Sequence, residues 1–153
     1  MQVQVRPANA TDGEALATLR RACRLEKEPD RGGHEQTFLA GFLTWWHRSQ
    51  ASHRAVIASI DGVDCGMGFL AIVGRVPDPD QLDRNHGDLQ SVYVLPERRA
   101  QGVGTQIVAA LIDIAASVGC DKVTVHSGRR SVALYERAGF SRHDRILTLS
   151  LTE

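Results

Sequence analysis

The segment from Leu89 to Ser117 constrains the fold of this 153-residue chain more than any other. It begins with a β-type run at 89–94, meets Pro96, and turns through a loop that contains two glycines. From Gly102 onward, apolar residues recur at the spacing of one helical face: Ile107, Val108, Leu111, Ile112 and Ala115. A strand that passes through a glycine-bearing turn into a long amphipathic helix is typical of α/β proteins.

Strand and helix patterns also alternate along the rest of the chain. The β-type runs are residues 3–7, 55–60, 66–73, 122–126 and Arg145–Leu151. The helical stretches are residues 12–28, 35–49 and 131–138, and they end near Pro29, Ser49 and Gly139. The predicted order is β-α-α-β-β-β-α-β-α-β, which favours an α/β mixed sheet with helices on its faces. A length of 153 residues suits one domain spanning 1–153.

Charge and composition exclude several classes of protein. The chain has 18 basic and 18 acidic residues, whereas nucleic-acid binders usually carry a basic excess, so no nucleic-acid partner is expected. No apolar run approaches the ~20 residues of a membrane helix, and the first residues do not resemble a signal peptide. Cys23, Cys65 and Cys120 match neither a disulfide framework nor a metal-binding spacing. We therefore expect free thiols, no metal, no membrane association and a cytoplasmic location.

The loop before the long helix has the features of an anion site. The first N–H groups of a helix have no partner inside it, and the helix dipole places partial positive charge there. Gly102 and Gly104 lack a Cβ, so a diphosphate can approach these N–H groups closely. Arg98 and Arg99 add two full positive charges. The loop thus predicts an anionic cofactor.

Two common nucleotide loops do not match this segment. A Walker A loop requires a Gly-Lys pair, and the chain has none. The dinucleotide fingerprint requires a third small residue, but Gly102-Val-Gly104-Thr-Gln-Ile107 has isoleucine at that position. Nucleotide hydrolysis and hydride transfer are both disfavoured.

The pattern that remains is R-x-x-G-x-G, here Arg99-Ala-Gln-Gly102-Val-Gly104, followed downstream by Ala133-Leu-Tyr135-Glu-Arg-Ala-Gly139-Phe140. Both stretches resemble the GNAT superfamily of N-acetyltransferases. The resemblance implies a mostly antiparallel mixed sheet with helices on both faces and a splayed central pair of strands. It also implies acetyl-CoA as cosubstrate and direct acetyl transfer to a primary amine of a small molecule or peptide. A homodimer is a further expectation.

The resemblance assigns cofactor contacts to the end of the fourth strand and to the loop after it. The residues are Val92, Tyr93, Val94, Arg99, Ala100, Gln101, Gly102, Val103, Gly104 and Thr105. Many family members carry an asparagine after the next strand, where this chain reads His126-Ser-Gly. Ser127 is the residue expected to take over that hydrogen bond.

Three residues are candidates for the acid–base chemistry. Tyr135 matches the family position whose phenol protonates the leaving thiolate. The base is Asp88, at the start of the fourth strand, or His126, at the end of the fifth. Carboxylates near Glu26 and Asp78 would attract a cationic acceptor. The alternative function is a non-catalytic acyl-CoA sensor or interaction module.

Overall fold

The computed structural model describes residues 2–152, which form five strands and four helices. The strands are β1 (Val3–Pro7), β2 (His53–Ile60), β3 (Val63–Gly74), β4 (Asn85–Val94) and β5 (Cys120–Val125). The helices are α1 (Gly13–Lys27), α2 (Glu35–Arg48), α3 (Val103–Ser117) and α4 (Val132–Arg137). Within the described range, no helix has the length and apolar character needed to cross a bilayer.

The strands form one sheet in the order β1-β2-β3-β4-β5. The pairs β1–β2, β2–β3 and β3–β4 are antiparallel, whereas β4 and β5 pair in parallel. The connection between β4 and β5 is α3, as a parallel pair requires a crossover. The expectation of a mixed and mostly antiparallel sheet is therefore confirmed.

Helices cover both faces of the sheet, because alternate side chains of β2 point to opposite faces. Val56, Ala58 and Ile60 belong to an apolar cluster with α3 and α4. Ala55 and Ile57 belong to a second cluster with α1 and α2. Both clusters contain fully buried side chains, including Leu111 in the first and Trp46 in the second.

β4 and β5 separate near the middle of β4, as expected for the splayed pair. Their pairing ends at Leu89 and Val125, but β4 continues through residues 90–94 without a partner on that side. A register shift between Met67 and Phe69 marks a bulge in β4, where Ser91 has φ +52°. Because a bulge increases local twist, it turns the end of β4 away from β5.

The prediction of a final strand over Arg145–Leu151 is wrong. Residues 145–152 have no regular secondary structure, and the side chains of Leu147, Leu149 and Leu151 are more than 80% exposed. An alternating pattern makes a segment suitable for a strand, but the ladder hydrogen bonds must come from a neighbouring strand. Within residues 2–152, this segment has no strand beside it.

Candidate functional site

The loop after β4 presents a row of unpaired backbone donors. The first bond of α3 runs from the Gln106 N–H to the Gly102 carbonyl at 3.2 Å. Within residues 2–152, the N–H groups of residues 100–105 donate to no backbone or side-chain acceptor. Ala100 and Gly102 adopt left-handed conformations, with φ +60° and +81°. Successive free N–H groups at a helix start form a concave site for phosphate oxygens.

The backbone requires glycine at one of the two glycine positions of this loop but not at the other. Gly102 is required by its backbone, since φ +81° disfavours any residue with a Cβ. Gly104 is not required in this way, because a Cβ at that position would meet Leu134 at 3.5 Å and Val94 at 3.9 Å, both ordinary contacts. The fold would therefore tolerate alanine at 104.

Gln101 adds an acceptor to the same loop. Its Oε1 is buried and has no hydrogen-bond partner within the part of the chain described. A buried acceptor without a partner carries a free-energy cost unless a ligand or water supplies a donor. The free N–H groups and this acceptor together fit a ligand with phosphates and amide donors, as acetyl-CoA has.

Arg99 is engaged by the protein itself. Its Nη1 and Nη2 each donate to Glu26 on α1 at 2.8 Å, and its Nε donates to the Val94 carbonyl at 3.0 Å. The Tyr93 hydroxyl also donates to Glu26, at 2.8 Å. The bonds from Arg99 and Tyr93 lower the pKa of Glu26, while burial and the Glu26 bond raise the pKa of Tyr93. The charge of Arg99 is thus already paired with Glu26, and this pair holds the loop against α1.

A groove of about 1010 Å³ lies along β5 and α4. Three residues predicted for the site, Tyr135, His126 and Ser127, line it together. The Tyr135 ring is buried against Phe140 at 5.5 Å between centroids. Burial raises the pKa of Tyr135, so its hydroxyl remains protonated at neutral pH. The Ser127 hydroxyl donates to the Gly128 carbonyl at 2.7 Å.

Asp88 lies one strand away from this groove. It is half-buried on β4, paired in register with Thr124 of β5, one residue before β4 and β5 separate. Its carboxylate accepts a hydrogen bond from the Gln90 amide at 2.9 Å and lies 3.5 Å from the Thr124 hydroxyl. Thr124 lines the groove, so Asp88 is connected to it through one side chain.

The charges around the site differ from the predicted attraction of a cationic acceptor. Glu26 pairs with Arg99, Glu28 with Arg24 and Arg31, and Asp78 with Arg84. The charged side chains of the groove are mostly basic: Arg75, Lys122, Arg142 and Arg145 stand against Glu136, which pairs with Arg142 at 3.5 Å. Three histidines, His86, His126 and His143, also line the groove. The charged part of the lining therefore favours anionic groups. Among residues 2–152, no cluster of three or more His, Cys, Asp or Glu side chains is arranged to hold a metal ion.

Two features of the site were not predicted from the sequence. Glu26 was expected among the carboxylates that attract a cationic acceptor, and its pairing with Arg99 was not predicted, because the two residues are 73 positions apart and no local pattern connects them. Ser91 forms the bulge that separates β4 from β5, yet serine is not a residue typical of positive φ. A glycine at 91 would have been a signal for the bulge.

The sequence profile of the acetyltransferase (GNAT) family matches residues 14–140. A glucosamine 6-phosphate N-acetyltransferase of Trypanosoma brucei brucei is 37% identical over 65 residues, which are 42% of this chain and 44% of that protein. This match thus spans less than half of the relative's length.

Solved structures share the whole fold. An acetyltransferase of Trypanosoma brucei has a TM-score of 0.72 at 26% identity, covering 98% of this chain and 100% of its own. A predicted acetyltransferase of Clostridium acetobutylicum, solved with acetyl-CoA, has a TM-score of 0.79 at 18% identity. The match covers 98% of this chain and 97% of the other. The second likeness concerns the fold alone.

Proposed function

The chain belongs to the acetyltransferase (GNAT) family, and from this premise we propose that it transfers an acetyl group from acetyl-CoA to a primary amine. The observation that carries the proposal is the row of free N–H groups at residues 100–105, located where β4 has left β5. These groups would hold the cofactor's pyrophosphate, while the open edge of β4 at Val92 and Val94 would bind its amide arm. Tyr93 lies on the face of the sheet that packs against α1 and α2. Its hydroxyl donates to Glu26, which in turn binds Arg99 at the start of the loop.

The remaining loop residues have separate roles. Val103 anchors the loop, because its side chain is buried in the apolar cluster with α3. Gln101 would accept a hydrogen bond through Oε1. The N–H groups of Ala100 and Thr105 are the first and last of the row of free donors. The loop is therefore held by its neighbours on one side and open to a ligand on the other.

Acetyl-CoA, when bound, would supply the acetyl thioester. In the transfer a C–N bond forms and the C–S bond breaks, so the leaving thiolate needs a proton. Tyr135 is the proposed donor, because its buried hydroxyl is protonated at neutral pH and its ring lines the groove. Ser127 lines the same groove and would orient the acetyl oxygen.

The acceptor must lose a proton before or during attack, since a free alkyl ammonium has a pKa of about 10.4. Asp88 is the proposed base, acting directly or through a water, because it lies at the point where β4 and β5 separate. His126 is the second candidate, since it is exposed to the groove at the end of β5.

For the acceptor we propose a small molecule that carries both an amine and an anionic group, an amino sugar phosphate being the first candidate. Support comes from the excess of basic over acidic side chains in the groove and from the ion pairs that neutralise Glu26, Glu28 and Asp78. The partial match to a glucosamine 6-phosphate N-acetyltransferase points the same way.

A thiol-release assay with acetyl-CoA tests this proposal. The acceptor panel contains glucosamine 6-phosphate, glucosamine, polyamines, an aminoglycoside and peptides. We expect the phosphorylated amine to give the highest kcat/KM, and glucosamine without phosphate to give a markedly higher KM. A preference for polyamines would contradict the acceptor class but leave acetyl transfer in place.

The non-catalytic alternative, an acyl-CoA sensor, predicts a different combination of results. A sensor would bind CoA in a thermal-shift measurement but release no thiol with any acceptor. A protein that shows neither binding nor thiol release would contradict both functions.

A further inference from the structure

Two cations and an imidazole meet on one face of the sheet, at the end of the groove where β5 begins. His86 of β4 is paired in register with Val73 of β3 and with Lys122 of β5. The Arg75 N–H donates to the Arg84 carbonyl at 2.8 Å, so the pairing of β3 with β4 continues two residues beyond Val73. Register partners and alternate residues of a strand share a face. The side chains of Arg75, His86 and Lys122 therefore form one cluster, and all three line the groove.

The face that holds this cluster also carries Asp88. A Cβ at Gly87 would meet Leu70 of the apolar cluster with α3 at 2.7 Å, so position 87 faces that helix. His86 and Asp88, on either side of Gly87, therefore point to the opposite face. On that face Lys122 is exposed, and His86 and Asp88 are half-buried. The cluster and the Asp88 carboxylate thus share one open surface.

The two cations of the cluster are unpaired in the described part of the chain. Neither Arg75 nor Lys122 belongs to an ion pair among residues 2–152, whereas Arg142, which also lines the groove, is paired with Glu136. Donor groups on three adjacent strands suit an anion with three free oxygens. A phosphate monoester has three such oxygens and a charge of about −1.5 to −2 at neutral pH. The cluster therefore has the charge and the donors of a phosphate site.

The register of β4 and β5 fixes how far this cluster lies from Asp88. Asp88 is two residues from His86 on β4, and its register partner Thr124 is two residues from Lys122 on β5. Two residues of a strand span about 7 Å. The Asp88 carboxylate accepts a hydrogen bond from the Gln90 amide at 2.9 Å, which holds it on this face. A carboxylate and a cationic cluster at this separation can bind the two ends of one small ligand.

We propose that Arg75, His86 and Lys122 bind the phosphate of the acceptor, and that their separation from Asp88 selects acceptors whose amine and phosphate lie about 7 Å apart. A phosphorylated amino sugar with the two groups on opposite sides of one hexose ring meets this requirement. An acceptor with the two groups on adjacent carbons is too short. The amine end of this inference rests on the proposed acetyl transfer, whereas the phosphate end can be tested with a ligand that has no amine.

The direct test is calorimetric titration of the full chain with glucose 6-phosphate, which carries a phosphate but no amine, in the presence of CoA. We expect the native protein to bind it, Lys122→Gln to raise the Kd about tenfold or more, and Lys122→Arg to keep it close to native, because the charge is retained. Lys122 is exposed, so neither substitution removes a core contact. The matched control is Arg48→Gln, which removes an exposed charge at the end of α2 and should leave the Kd unchanged in about 0.15 M salt. A native protein that does not bind glucose 6-phosphate overturns the proposal.

Thiol release tests the same cluster through selectivity. The ratio of kcat/KM for glucosamine 6-phosphate to that for glucosamine should fall about tenfold or more in Lys122→Gln, and glucosamine 1-phosphate should be a poor acceptor for the native protein. A ratio that stays native in Lys122→Gln, or that falls in Arg145→Gln instead, overturns the proposal, because the phosphate then binds elsewhere in the groove. Equal kcat/KM values for the 1- and 6-phosphates overturn the spacing rule. Absence of thiol release with every acceptor contradicts the proposed function instead, and the titration then decides on the phosphate site by itself.

Discussion

Arg99 of the loop before α3 and Glu26 near the end of α1 form a bidentate ion pair, with both N–O distances at 2.8 Å. The Arg99 guanidinium carbon also lies 5.6 Å from the centre of the Tyr93 ring. Tyr93 and Val94 belong to β4, so one arginine connects α1, the end of β4 and the candidate cofactor loop. One end of the loop is therefore held by contacts within the protein.

Glu26→Gln should weaken CoA binding, because the loop loses this attachment. A half-exposed ion pair contributes up to about 1 kcal/mol, so we expect an increase in Kd of up to about fivefold in calorimetric titration. Glu28→Gln is the control, since Glu28 pairs only with Arg24 and Arg31 on the surface and should leave the Kd unchanged. Equal affinities of the native and Glu26→Gln proteins would show that the loop does not need this ion pair.

The same pair predicts a pH dependence of stability. The hydrogen bonds from Arg99, followed by the one from Tyr93, lower the pKa of Glu26 in the folded state. Its contribution is therefore present above the ordinary glutamate pKa of about 4.3 and is lost as the pH falls through the lower folded value. The Tm difference between the native protein and Glu26→Gln should thus be largest near pH 7 and shrink as the pH falls below about 4.3. A difference that stays constant between pH 7 and acidic pH would contradict this assignment.

Gly104→Ala separates ligand approach from folding. The added methyl group has room beside Leu134, and alanine in a helix is up to about 1 kcal/mol more favourable than glycine. We expect an unchanged or higher Tm, but CoA binding weakened about tenfold, a loss of about 1.4 kcal/mol. Gly102→Ala is the matched variant, and it should lower stability by about 1–2 kcal/mol because of its φ of +81°. Normal CoA affinity in Gly104→Ala would mean that no ligand closely approaches that N–H.

Ala100→Gly should stabilise the protein. Ala100 has φ +60°, a conformation that costs a residue with a Cβ about 1–2 kcal/mol. The greater freedom of glycine in the unfolded chain offsets part of this gain, so we expect a rise in Tm of up to about 3 °C. The control Ala109→Gly lies on the exposed side of α3 and should lower the Tm instead. A lower Tm in both variants would show that the backbone at 100 is not strained.

Tyr135→Phe should lower kcat by about 10²–10⁴-fold while leaving the Kd of CoA unchanged, because the hydroxyl acts only when the thiolate forms. Burial raises the pKa of Tyr135, so the native rate should show no loss from its ionisation below about pH 10. Tyr93→Phe is the control, a second buried tyrosine whose hydroxyl is bound to Glu26. It should keep kcat within a few-fold. Equal rates for the native and Tyr135→Phe proteins, with transfer limiting, would assign Tyr135 to packing.

Asp88→Asn should reduce the rate at pH 7 by about tenfold or more, since a removed base is typically worth 10²-fold or greater. Part of the loss should return at pH 9, where more of the acceptor is unprotonated. If Asp88→Asn leaves the rate unchanged and His126→Ala shows this recovery at pH 9, the base is His126. A pH profile unaffected by either substitution would mean that solvent removes the proton.

Local pattern was sufficient for most of the elements and for the glycine-bearing turn before α3. The apolar face of α3, the hairpin of β2 and β3, and the two glycines before the helix are all properties of neighbouring residues. Helical periodicity, turn preferences and free N–H groups at a helix start depend on positions within about four residues of one another. The location of Tyr135 on a short helix was predicted for the same reason, whereas the mostly antiparallel sheet with its splayed pair was implied by the resemblance to the GNAT family.

The tertiary structure alone decided how these parts act together. The sequence determined that Arg99 lies beside the loop, but only the packing of α1 against β4 brings Glu26 to it across 73 positions. The sequence likewise determined a strand pattern at residues 145–151, but a strand forms only where another backbone offers its hydrogen bonds. Within one chain the edge of β5 stays separated from that segment by the groove, so the pattern has no partner there. Long-range contacts depend on the path of the whole chain, and no local pattern encodes that path.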